Sequence, residues 1–89
     1  MSIKGDLENV LWQANVAITE RYGQVRQYLV YYDLSDEERE YYIAEREALL
    51  EKEKVWKQVN EEYHSAENPT RKQMREWKKA IVDLFKDEK

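Results

Sequence analysis

The chain has 89 residues, of which 38% are charged and 42% are hydrophobic, with only two glycines and one proline. A chain of this length forms one domain with a thin core, so we expect residues 1–89 to be a single helical domain. The absence of cysteine excludes disulfides, thiol catalysis and cysteine zinc sites.

The net charge of −4 is unevenly distributed along the chain. Residues 1–68 carry 8 Lys/Arg against 15 Asp/Glu, whereas residues 69–89 carry 7 against 4. We therefore expect the basic segment to pack on the acidic one, within a chain or between chains. No apolar run approaches the roughly 20 residues of a membrane span, and Met1–Lys4 leads straight into charged sequence. These features predict a cytoplasmic protein without membrane contact or signal peptide.

Two apolar heptad patterns predict a long antiparallel helical hairpin, with helices at about residues 6–32 and 35–66. The first pattern consists of Leu11, Ile18, Val25 and Tyr32, and the second of Tyr42, Leu49, Trp56 and Tyr63. A fold-back at Asp33–Leu34 would pair Leu11 with Trp56, Ile18 with Leu49, and Val25 with Tyr42.

Local signals suggest where these two helices begin. The first helix is predicted to start near Gly5 or Asp6, because a carboxylate suits a helix N-terminus. The second is predicted to start at Ser35, because Ser35 and Glu38 form the pattern of a capping box. Gly23 interrupts the first helix, either as a tolerated weak point or as a place where another helix approaches closely.

A third, shorter helix is predicted at about residues 69–86, with Asn68 as its N-cap and Pro69 at its first position. Its apolar face consists of Met74, Trp77, Ile81, Leu84 and Phe85. The chain is therefore predicted to be an all-α three-helix bundle, which dimerisation would extend to a larger bundle.

Helix lengths predict that one end of the hairpin stays uncovered. At 1.5 Å per residue the third helix spans about 28 Å, against roughly 40–47 Å for the other two. It starts at the open end of the hairpin and cannot reach the turn, where five tyrosines gather: Tyr28, Tyr31, Tyr32, Tyr41 and Tyr42. These residues, called the tyrosine tip below, either line the end with their hydroxyls in water or form a protein-binding surface.

Two polar residues fall near the apolar stripes of the hairpin. The predicted pairing places Arg21 close to Glu45, and such a partly buried ion pair would fix the register of the helices more than it adds stability. The other interpretation is that the apolar stripe is narrower and leaves both residues outside it.

No pattern typical of catalysis or cofactor binding stands out, so we expect neither enzymatic activity nor a cofactor. His64 is the single histidine and lies near a helix end. Glu61-x-x-His64 matches half of a di-iron carboxylate motif, but one chain lacks the second half. The many neighbouring glutamates are typical of a solvated helix face.

Nucleic-acid binding is the alternative from another class of function. Five cationic residues of the third helix could neutralise phosphates: Arg71, Arg75, Lys78, Lys79 and Lys86. The acidity of the whole chain and the lack of a recognition-helix turn argue against it, and a basic helix packed on an acidic hairpin accounts for the same residues.

Residues 68–84 resemble the C-terminal helix of some phage tail-assembly chaperone-type proteins. The resemblance rests on Asn68-Pro69-Thr70, then Trp77, Ala80 and Leu84. In that family a Thr or Ser opens the helix and a Trp follows seven residues later, but a Tyr-Arg pair usually stands where this chain has Ala80 and Ile81. The resemblance implies a small phage or prophage protein that assists virion assembly by binding other proteins.

These observations together predict a non-catalytic helical protein that acts through protein–protein contact. It would serve as an adaptor, assembly-assisting or inhibitory protein, with the tyrosine tip as its docking surface. We expect it to self-associate, as a homodimer or a larger assembly, because a two-fold contact needs only one self-complementary surface.

Overall fold

The computed structural model describes residues 2–86, which form three α-helices and, within that range, no strand. The helices are α1 (Ile3–Tyr31), α2 (Asp36–Ser65) and α3 (Arg71–Asp83). They pack against one another in an elongated bundle of 50 × 22 × 20 Å. The prediction of an all-α three-helix bundle is confirmed.

Helix α1 begins earlier than the sequence predicted. Ser2 is its N-cap, and the Ser2 hydroxyl accepts a hydrogen bond from the Gly5 amide at 3.0 Å. The predicted start near Gly5 or Asp6 is therefore wrong by two to three residues, because a serine cap satisfies the first free amides without any help from a carboxylate.

Helix α2 begins as predicted. The Ser35 hydroxyl accepts from the Glu38 amide at 3.2 Å, and the Glu38 carboxylate accepts from the Ser35 amide at 3.2 Å. Three acidic residues follow in the first turn, where the helix dipole favours negative charge. This capping box sets a sharp boundary between the connection Tyr32–Ser35 and the second helix.

Helix α3 begins two residues later than predicted, at Arg71. Its N-cap is Thr70, whose hydroxyl accepts from the Gln73 amide at 3.1 Å while the Gln73 side chain accepts from the Thr70 amide at 3.0 Å. Two amides are satisfied by this capping box, so the roles predicted for Asn68 and Pro69 are wrong. The regular helix ends at Asp83, and a turn continues to Lys86.

The main hydrophobic core lies at the open end of the hairpin, where all three helices meet. Its buried members are Leu7, Leu11, Ala14, Val59, Tyr63 and Ile81. Towards the turn the hairpin has only two helices, and its buried residues there are Ile18, Val25 and Leu49. Tyr32, the last member of the predicted first heptad pattern, is instead the exposed C-cap of α1.

The hairpin register agrees with the predicted pairing. The Trp56 indole N–H donates to the Leu11 carbonyl at 2.7 Å, which fixes the first predicted pair directly. Gly23 lies in regular helix, and a Cβ placed there would meet nothing within 4 Å. The interpretation of Gly23 as a close approach between helices therefore finds no support among α1, α2 and α3 of one chain.

Candidate functional site

The tyrosine tip forms where α1 ends and α2 begins. Tyr31 is the last residue of α1 and Tyr32 is its C-cap, while the capping box at Ser35 starts α2 at once. Because the connection is only four residues long, the last turn of α1 lies beside the first turns of α2. This brings Tyr41 and Tyr42 next to the tyrosines of α1.

Four of the five rings touch one another. Tyr28 stacks on Tyr32 with ring centroids 5.4 Å apart, and it packs against Tyr42 at 4.9 Å. The Tyr41 ring meets the Tyr42 ring edge-on at 5.3 Å. Aromatic pairs at such distances are favourable beyond the area that they bury. Tyr31 lies outside this ring cluster.

Most of the tyrosine tip is open to solvent. Tyr31 is 78% exposed, Tyr41 64% and Tyr32 57%, whereas Tyr28 and Tyr42 are half-buried against each other. Helix α3 ends at Asp83, and its last residues pack beside the middle of the hairpin rather than its turn. The rings therefore form an amphipathic surface that residues 2–86 leave uncovered.

An ion pair between α1 and α2 lies next to the tyrosine tip. The Arg21 guanidinium donates through both Nε and Nη2 to the Glu45 carboxylate, the second bond at 2.9 Å. Arg21 and Glu45 are therefore paired, as the sequence predicted. The Glu45 carboxylate raises the pKa of Arg21 by accepting these hydrogen bonds, against an opposing effect of burial. The guanidinium also lies 6.0 Å from the centre of the Tyr28 ring, so the pair and the tip are in contact.

The cationic residues of α3 and of the turn after it lie on a surface separate from the tyrosine tip. Arg71, Arg75, Lys79 and Lys86 are exposed, whereas Lys78 is half-buried. Lys86 is paired with Asp83 at 3.6 Å. Among the ion pairs within residues 2–86, none joins Arg75 or Lys79 to the hairpin. Helix α3 is held instead by its apolar face, by the Trp77 indole donating to Glu62 at 3.1 Å, and by Lys52 lying 5.0 Å from the Phe85 ring centre.

One exposed aromatic residue was not singled out by the sequence. Trp12 is 65% exposed and lines a cleft with Trp56 and Asn60, between residues of α1 and α2. Its signal in the sequence is an apolar residue directly after Leu11, outside the heptad pattern. Trp12 lies near the open end of the hairpin, far from the tyrosine tip.

His64 lies near the C-terminus of α2 with its ring 5.1 Å from that of Tyr63. The buried Tyr63 phenol has a raised pKa, first because of burial and then because it contacts the Glu8 carboxylate. Within residues 2–86, no group of three or more His, Asp or Glu side chains could hold a metal ion.

None of the described helices is both long and apolar enough to cross a membrane. No protein-family model matches the sequence, and neither a curated protein nor a solved structure matches it significantly.

Proposed function

We propose that this protein is a non-catalytic interaction protein that self-associates through its tyrosine tip. The observation that carries the proposal is the exposure of three neighbouring tyrosines: Tyr32 and Tyr41, which the ring contacts with Tyr28 and Tyr42 hold in place, and Tyr31 beside them. Tyrosines are enriched in the centres of protein interfaces, because each buries a large area at little conformational cost and keeps a hydroxyl for hydrogen bonding.

A second copy of the chain is the simplest partner for the tip, because a two-fold contact needs only one self-complementary surface. The biological role would be that of an adaptor, an inhibitor or an assembly-assisting protein. The last of these is the role implied by the resemblance of residues 68–84 to phage tail-assembly chaperone-type proteins, and a phage or prophage origin is part of that proposal.

Sedimentation equilibrium at micromolar concentration tests the proposal. We expect a mass of at least twice the 10.9 kDa of one chain. Replacing the two exposed rings, Tyr31→Ala with Tyr41→Ala, should return the mass to that of one chain with the far-ultraviolet circular dichroism unchanged. Both side chains project into solvent, so their loss leaves the Tyr28–Tyr42 contact in place.

Trp12→Ala is the matched control, because it removes an equally exposed aromatic ring from the other end of the hairpin. The control should associate like the wild type. A monomeric wild-type protein would contradict self-association. If Trp12→Ala dissociates the assembly while the double tyrosine variant does not, the interface lies at the other end.

Nucleic-acid binding through α3 is the second candidate, and the exposed cations Arg75 and Lys79 favour it. Titration of a labelled duplex at low and moderate salt tests it. A steep loss of affinity with salt, abolished by Arg75→Glu with Lys79→Glu, would support phosphate neutralisation. An absence of binding at low salt would rule out nucleic-acid binding through α3.

A further inference from the structure

The groove that holds α3 continues beyond the end of that helix. On α1, the residues beside Ile81 and Phe85 include Val10, Ala14 and Ala17. In a helix bundle, residues seven positions apart lie on the same face of a helix, so the row that contains each of these residues can be followed along α1.

The same α1 positions are occupied nearer the turn by residues that α3 does not reach. Arg21 and Tyr28 continue the row that begins at Ala14, and Gln24 and Tyr31 continue the row that begins at Ala17. Gln24 and Tyr31 are exposed. The α1 side of the groove therefore runs on to the tip without a helix on top of it.

Helix α2 shows the same continuation. Glu62 accepts a hydrogen bond from Trp77 of α3, and Lys52 lies over the ring of Phe85 in the turn after α3. Glu45 lies one heptad from Lys52 in the direction of the turn. Ala48 and Tyr41 lie two and three heptads from Glu62 in the same direction. We call this continuation the uncovered groove; its positions are Arg21, Gln24, Tyr28 and Tyr31 on α1 and Tyr41, Glu45 and Ala48 on α2.

The lengths of the helices match a second occupant of the same size as α3. The 29 residues of α1 span about 43 Å and the 13 residues of α3 about 20 Å. Helix α3 thus covers about half of the hairpin. A second helix of equal length, placed in line with the first, would fill the uncovered groove without extending past the turn.

Charge complementarity identifies which helix this would be. Residues 20–50, which make up the uncovered half of the hairpin, carry 8 Asp/Glu against 4 Lys/Arg. Residues 71–83 of α3 carry 5 Lys/Arg against 2 Asp/Glu. The apolar face of α3 is already packed on its own hairpin, so the side available to a partner is the exposed one, on which Lys72, Arg75 and Lys79 outnumber Glu76 and Asp83.

We propose that α3 of a second copy of the chain lies over the uncovered groove, in an antiparallel two-fold dimer in which each copy supplies its α3 to the tip of the other. The inference rests on the proposed self-association and specifies its geometry. Neither groove is completely covered without the partner's helix, so two equivalent contacts form at once.

The side chains at this contact are chemically matched. Arg75 and Lys79 would lie over the tyrosine rings, where a cation interacts favourably with the ring face. Lys52 over Phe85 provides the same interaction within one chain. At the edges of the groove Glu20 and Glu37 are exposed, one helical turn before Gln24 and Tyr41 respectively, and would pair with these cations.

A charge exchange tests this arrangement. The first variant reverses the outward face of α3, Arg75→Glu with Lys79→Glu, and the second reverses the edges of the groove, Glu20→Lys with Glu37→Lys. Each variant alone has two repulsive contacts and should be monomeric by sedimentation equilibrium, at unchanged helicity. An equimolar mixture should restore the mass of the dimer, because both contacts of the mixed dimer are again complementary.

The control is Arg26→Glu with Lys57→Glu, which lowers the net charge as much as the α3 variant does, at two exposed hairpin residues outside the uncovered groove, and should leave the dimer intact. If both charge variants keep the wild-type mass, or if the mixture stays monomeric, this arrangement is wrong. In that case a dimer that still dissociates on Tyr31→Ala with Tyr41→Ala supports contact between two tips. A monomeric wild type overturns the proposed function and this inference with it.

Discussion

The indole N–H of Trp56 donates to the backbone carbonyl of Leu11 across 2.7 Å, and so joins α2 to α1 beside the main core. A bond from a side chain to a main-chain atom depends on the register of the two helices and not only on their shared hydrophobicity. A shift of one turn would move the Leu11 carbonyl by about 5.4 Å and break it. This contact therefore helps to select a single alignment of the hairpin.

Replacing Trp56 by Phe should lower the free energy of unfolding by about 1–2 kcal/mol, because a hydrogen bond and part of the packed volume are lost. Urea denaturation followed by circular dichroism measures this change. Trp12→Phe is the control and should be nearly neutral, since Trp12 is exposed. Equal effects of the two changes would show that the bond contributes nothing measurable.

The Arg21–Glu45 pair should couple the two helices modestly. It is bidentate, but the Arg21 side chain is 38% exposed, so solvent screens it. A double-mutant cycle with Arg21→Gln and Glu45→Gln should give a coupling of about 1 kcal/mol at low salt. The coupling should fall in 1 M NaCl, and a salt-independent value would contradict a mainly ionic interaction.

The hairpin could be predicted because its apolar residues recur at a fixed spacing and the start of its second helix is marked by residues close together in sequence. Heptad spacing placed Leu11 opposite Trp56 and Arg21 beside Glu45, and both contacts are present. The Ser35 capping box was recognisable because two side chains at a fixed spacing satisfy each other's backbone amides. The lengths of the helices were enough to predict that α3 would leave the turn uncovered.

Helix starts with competing signals could not be predicted in the same way. Ser2 caps α1 without a Glu or Gln three residues later, so it lacks the signature of a capping box. At α3, Asn68-Pro69 and Thr70 were rival signals, and Thr70 with Gln73 prevails because it satisfies two amides. The exposure of Trp12 depends on which face α3 covers, which the pattern of α1 alone does not specify.

Loss of the Thr70 hydroxyl should weaken the start of α3. Thr70→Ala should cost about 1 kcal/mol in the free energy of unfolding, whereas Thr70→Ser keeps the acceptor and should cost only a few tenths. Hydrogen exchange of the amides in the first turn of α3 provides the local measurement. Equal protection in the Ala and Ser variants would contradict the role of the hydroxyl.

Gly23→Ala should stabilise the protein by about 0.5–1 kcal/mol. The position is regular helix, the added methyl group meets nothing within 4 Å, and alanine loses less backbone entropy on folding. Thermal denaturation should therefore show a higher midpoint. A destabilised or dissociated variant would instead show that Gly23 is approached closely by a partner chain.

The buried phenol of Tyr63 should make the protein sensitive to alkali. Its pKa is raised in the folded state by burial and by contact with the Glu8 carboxylate, so the unfolded chain releases this proton first. The stability that comes from the neutral phenol is complete below a pH of about 10 and is lost as the pH rises through the folded-state pKa. Urea denaturation at pH 8 and at about pH 11 should show a smaller loss of stability for Tyr63→Phe than for the wild type. The loss of stability in Glu8→Gln should lie between those of the wild type and Tyr63→Phe, because this change removes the carboxylate but leaves the phenol buried. An identical loss in all three proteins would contradict this origin of the alkaline sensitivity.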